Sequence, residues 1–159
     1  MKILVGFALA VSTGYRSDRT AEHIKSMFPL YLSGTHATKE QRVAWVRAGL
    51  ASHDERLQLI ASECLDAALE AYHFTSHYGF DFGARSRDYG YAPRRGPESR
   101  AWFKPFVALA VEFGAQQSPV GVMVRNVLSS SFRSLWSVAG VYDELESALE
   151  TLAPLGWEK

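Results

Sequence analysis

The chain has 159 residues, with seventeen basic side chains against seventeen acidic ones, and its composition is 47% apolar and 21% charged. That is enough apolar material to bury one core, which excludes a disordered chain, and the even charge excludes a global polyanion-binding surface, leaving only local ones. One cysteine, Cys64, excludes an internal disulfide and suits a reducing, cytoplasmic setting.

Ile3 to Val11 is an unbroken apolar run after Lys2. It has the flavour of a secretory leader but is shorter than such leaders need, so a buried first strand or short helix is expected instead. Ser12 to Ser17 reads as a loop around Gly14. A helix follows from about Asp18 to Phe28, stopped by Pro29. Thr38 and Gln41 have the spacing of a capping box for a helix running to Leu50, and Ser52 with Glu55 suggests a second.

That second box opens the longest helical pattern, about 53–77. Leu57, Ile60, Ala61, Cys64, Ala68 and Tyr72 fall on one face, so Cys64 is expected in the core rather than as a reactive thiol. Residues 79–96 then lose helical period and carry four glycines and one proline. Aromatic residues alternate with small or acidic ones in "YGFDF" and "DYGY", which predicts a β-hairpin or an irregular arm at about 78–92.

Helical pattern resumes at Pro97 and runs to about Phe113. Pro105 inside it predicts either a kink or a later start. Ser118 and Pro119 are a helix N-cap and first-turn proline. From there Val120, Met123, Val124, Val127, Ser131, Leu135 and Val138 keep one face, and Gly140 punctuates. Tyr142, Leu145, Leu149 and Leu152 stripe a last helix that ends at Pro154. Lys104, Glu112 and Arg125 interrupt the apolar stretches, so no membrane association is expected. The sum is a mainly α, compact single-domain bundle of five to six helices spanning 1–159.

Three chemistries compete for the function. Glu70, His73 and His77 offer a metal-dependent enzyme, since Glu-x-x-His is the spacing of carboxylate-bridged di-iron bundles. No second such motif is present, and on a helical wheel the three sit at about 220°, 160° and 200° from Leu57, while the core face centres near 20°. A solvated polar face explains them better, so neither a metal nor a cofactor is expected. Serines are plentiful, but no nucleophile elbow occurs among them.

The remaining two chemistries use one segment. Between Tyr72 and Lys104 lie six basic residues against three acidic ones, whereas the C-terminal stretch from Asp143 has five acidic residues against Lys159. Such separation allows self-association. Phe82, Arg85, Arg87, Tyr89, Tyr91, Arg94 and Arg95 combine aromatic rings with guanidinium groups. These types are enriched at protein–protein hot spots, and they can also stack on unpaired bases. A non-enzymatic protein-binding module, of the inhibitor or immunity type, is the preferred expectation. Nucleic-acid binding through the same segment is the alternative.

Overall fold

The computed structural model describes residues 15–72, 90–93 and 96–156. Six α-helices run through them: α1 (Tyr15–Lys25), α2 (Lys39–Leu50), α3 (Glu55–Leu69), α4 (Gly96–Gly114), α5 (Pro119–Ser134) and α6 (Tyr142–Leu152). A π-helical turn, Leu135–Ala139, follows α5, and a 3₁₀ turn, Ala153–Leu155, follows α6. The described residues contain no strand. This is a mainly α bundle. The expected N-terminal strand or helix at 3–11 and most of the expected arm lie outside the described residues.

Helix α4 is the hub. It packs against α2, α3, α5 and α6, and Trp102, Phe103, Phe106, Val107, Leu109, Ala110 and Phe113 are all buried along it. Its run of apolar residues on nearly every side is what a helix surrounded by others requires. Arg47 of α2 pairs with Glu112 of α4 at the surface.

Helix α4 runs through Pro105 rather than beginning there. Proline has no N–H for the carbonyl four residues back, here that of Ala101. The Lys39 ammonium donates to the Ala101 carbonyl oxygen at 3.2 Å instead. A side chain from the first turn of α2 thus satisfies the group that the proline abandons.

The helix starts follow local chemistry. Thr38 Oγ1 accepts from Gln41 N–H, and Gln41 Oε1 accepts from Thr38 N–H, closing the expected box. Ser118 caps α5 by accepting from Gly121 N–H, with Pro119 in the first turn. For α3 the cap is Asp54 and not Ser52. Asp54 Oδ1 accepts from Arg56 and Leu57 N–H, while Ser52 Oγ accepts from the backbone of Asp54. The nearer carboxylate wins because it also favours the positive end of the helix dipole.

Two helix ends differ from expectation. Helix α1 begins at Tyr15 and ends at Lys25, three residues before Phe28. Its last turn tightens through bonds from Met27 N–H to Ile24 O and from Phe28 N–H to Lys25 O. This drops Phe28 and Leu30 into the core beside Ile24.

Helix α3 stops at Leu69, with Glu70 in extended backbone (φ −64°, ψ 114°). The free carbonyl of Ala68, in the last turn, accepts from the Trp102 indole Nε1 at 3.0 Å. Docking of α4 therefore supplies the partner that another helical turn would have supplied.

Cys64 lies on the buried face of α3 with no exposure. Burial pushes its thiol pKa up, Glu63 adds to the rise, and Lys25 opposes it. The thiol is a small core group, as its helical position predicts.

Candidate functional site

Of the seven residues proposed from the sequence for partner binding, Tyr91 is the one the described residues include. Phe82, Arg85, Arg87, Tyr89, Arg94 and Arg95 lie outside them. The expected hairpin can be tested only at its end, where residues 90–93 are irregular. Tyr91 N–H donates to Thr35 O at 3.0 Å, and Gly90 sits with φ 79°, its Cα pressed on the Thr35 backbone. Any side chain at 90 would collide there, so the glycine is required both by dihedral and by space.

The Tyr91 ring stacks on Trp102, with centroids 6.0 Å apart and planes inclined by 18°, and it remains 37% exposed. For this residue the structure gives a mixed answer. One part of the ring anchors the segment to the core, and the rest is open to solvent. It borders a cleft of about 320 Å³ that His36, Lys39, Glu98 and Trp102 also line.

Behind that cleft lies a feature the sequence does not announce. Arg42 is fully buried. Its Nε donates to Ala37 O at 3.1 Å and its Nη1 to Pro29 O at 3.0 Å. Its Nη2 donates to Ser33 Oγ at 3.1 Å and to Thr35 O at 3.3 Å. The guanidinium carbon stands 4.8 Å from the centroid of the Trp102 ring.

Arginine offers five N–H donors in a rigid fork, and this fork gathers the whole 29–37 loop around one charge. Burial lowers its pKa to about 10, with Tyr91 opposing the fall, so it stays protonated at neutral pH. The loop it holds contains Leu32 at φ 60°, a left-handed conformation that disfavours a branched side chain. Arg42 is thus a structural clamp that positions Thr35, and through Thr35 the Gly90–Tyr91 segment.

Of the residues in the metal alternative, Glu70 lies just beyond the end of α3, and His73 and His77 lie outside the described residues. Among the described residues no three His, Cys, Asp or Glu side chains cluster as metal ligands would.

A second surface was missed from the sequence. Ser130, Ser134 and Ser137 hydroxyls each donate back to a carbonyl three or four residues earlier, at Val127, Ser131 and Arg133. Such bonds loosen and bend helices, and the helix here widens into the π turn. Gly140 N–H reaches back five residues to Leu135 O at 3.0 Å, and Gly140 takes the left-handed cap conformation (φ 67°).

The widened turn carries Ala139 into the core and turns Val138 outward, 56% exposed, against the stripe expected from a uniform α-helix. Trp136 (38%) and Tyr142 (46%) are exposed beside it. Trp136 stacks on Phe132 at 6.0 Å, and Tyr142 meets Trp136 edge-on at 5.0 Å. Arg100 lies against Gly140 at the rim of this cluster. The rings support one another, so they keep their positions without a partner, and their outer faces remain open.

No protein family, curated protein or solved structure matches the chain. Among the described residues, no helix is long and apolar enough to cross a membrane.

Proposed function

We propose that this chain is a protein-binding module that acts by docking a partner, as inhibitors and immunity-type regulators do. The observation that supports this is the preformed cluster of exposed Trp136 and Tyr142 rings, backed by Phe132, with Arg100 at its rim. Trp, Tyr and Arg are the types that dominate binding hot spots. A rigid aromatic pair also loses little side-chain freedom on docking.

The segment Phe80–Arg95 belongs to the same reading as a second contact element, on its residue types alone. The helical body holds its Tyr91 end in place through Thr35 and Trp102.

The test is affinity capture from a lysate of the source cells, comparing wild type with two variants. One carries Trp136→Ala and Tyr142→Ala, the other Arg85→Ala, Arg87→Ala, Tyr89→Ala and Tyr91→Ala. The expected result is a stoichiometric partner that the wild type retains and at least one variant loses. Capture unchanged in both variants refutes the reading. Retention on single-stranded DNA that weakens steeply with salt would replace it with the nucleic-acid alternative.

A further inference from the structure

We infer that the partner of the Trp136–Tyr142 surface meets it with a cationic face, rich in lysine or arginine. The inference rests on the docking function proposed above and adds the chemistry of the partner. It follows from what shares α6 with Tyr142. At 100° per residue, Tyr142, Glu146, Glu150 and Asp143 stand at about 0°, 40°, 80° and 100° around the axis. Leu145, Ala148 and Leu152 fill the opposite, buried side. The aromatic ridge therefore runs directly into a strip of three exposed carboxylates.

The charges around this strip are unequal. Glu144 turns toward α4 and pairs with Lys104 at 2.5 Å, and Arg100 also lies in its field. Asp143, Glu146 and Glu150 make no ion pair among the described residues. On the other flank, Arg133 is exposed on α5, three residues before Trp136. Neither it nor Arg100, at the rim of the aromatic cluster, makes an ion pair among the described residues.

A neutral or acidic partner seated on Trp136 and Tyr142 would strip water from these carboxylates and give nothing back. A cationic partner would pair with them, and its approach would be steered by the same field. Its lysine or arginine groups could also lie over the two exposed ring faces, which attract cations.

The experiment uses the full chain and two labelled synthetic peptides of equal length and equal helical amphipathicity. One carries lysine and leucine, the other glutamate and leucine. Binding is read by fluorescence anisotropy of the peptide label. The lysine peptide should bind at low salt, the glutamate peptide should not, and affinity should fall roughly tenfold or more as screening shortens the reach of the carboxylates. Asp143→Asn, Glu146→Gln and Glu150→Gln together should weaken binding of the lysine peptide about tenfold, which corresponds to one decade in the dissociation constant. Trp136→Ala should weaken it as well. All four positions are solvent-exposed, and circular dichroism confirms that the variants fold.

Equal binding of the two peptides, lost on Trp136→Ala, overturns the cationic preference and leaves the docking function standing. Binding that survives the triple neutralisation overturns the preference too. Binding that ignores Trp136→Ala is bare charge attraction and sinks the inference, as does failure of the lysine peptide to bind. The lysate capture described above decides the docking function separately.

Discussion

Replacing Arg42 by methionine keeps most of the buried stem and removes the charged fork. Four acceptors then lose their donor: the carbonyls of Pro29, Thr35 and Ala37 and the hydroxyl of Ser33. Each buried acceptor left unmet costs about 1–3 kcal/mol, and the lost contact with the Trp102 ring adds about 1 kcal/mol. Two terms oppose this. The charge no longer needs to be buried, and a freed loop lets Leu32 leave its left-handed conformation, worth about 1–2 kcal/mol. Because the loop can also rotate some carbonyls toward water, the net loss should be about 3 kcal/mol.

That is a large share of a typical stability of about 5–15 kcal/mol, yet it leaves the protein folded in buffer. In urea it should lower the midpoint by about 1–3 M, given slopes of about 1–3 kcal/mol per molar. The assay is urea unfolding followed by tryptophan fluorescence and far-ultraviolet circular dichroism. Arg42→Lys should behave more like methionine than like arginine, because one ammonium cannot span four acceptors. Leu32→Gly should stabilise the wild type by about 1 kcal/mol and stabilise Arg42→Met less, since only the clamped loop is strained. A loss below about 1 kcal/mol in Arg42→Met, together with full rescue by lysine, would refute the clamp.

Other predictions follow from single contacts. Lys39→Met should destabilise the wild type by about 0.5–1 kcal/mol and Pro105→Ala much less, because alanine restores the N–H that Ala101 lacks; a double-mutant cycle with no coupling would count against this pairing. Burial works to raise the Glu144 carboxyl, but the hydrogen bond from Lys104, a backbone hydrogen bond and the charges of Lys104 and Arg100 together outweigh it and leave the carboxyl below the ordinary range. Its contribution, at most about 1 kcal/mol, is present above the unfolded carboxylate pKa and is lost as pH falls through the lower folded value. Glu144→Gln should therefore lose stability at pH 7 and little at pH 2 in parallel urea titrations; equal losses at both would contradict the pairing. Cys64 should resist a thiol reagent in the native protein and react at once in concentrated urea, and fast native labelling would show that α3 opens or that the thiol is not buried.

Two helix starts were readable because their chemistry is local. Thr38 with Gln41, and Ser118 with Pro119, act within four residues, and they stand where the sequence places them. The Cys64 face was readable because its period matches the helix. What escaped depends on partners far along the chain. α3 ends at Leu69 because Trp102, thirty-four residues on, takes the carbonyl of Ala68. Nothing between Glu70 and His77 forbids a helix by itself.

Arg42 escaped for the same reason. An arginine in a helix that also holds Glu40, Gln41 and Arg47 reads as a solvent-facing residue, and only the fold of the 29–37 loop reveals it as the centre of a cage. The candidate surface at Trp136 was hidden by a change of period. Val138 continues the apolar stripe of α5 on paper, and the π turn shifts the phase just before it. The one trace in the sequence is the serine-rich run from Ser129 to Ser137, whose hydroxyls compete for helix carbonyls.

The π turn has a consequence for how this surface can change. Leu135–Ala139 uses five residues to close a turn that an α-helix closes in four. It behaves as a phase shifter between a core that reads α5 up to Leu135 and a surface that reads what comes after. Removing one residue here would leave Val120, Val124, Leu128 and Leu135 seated as they are, yet would rotate the following side chains by about a quarter of a turn. Trp136 and Tyr142 would part, and the ridge would dissolve without any ring being replaced. Chain length at this one turn, as much as residue identity, encodes the presentation of the aromatic pair.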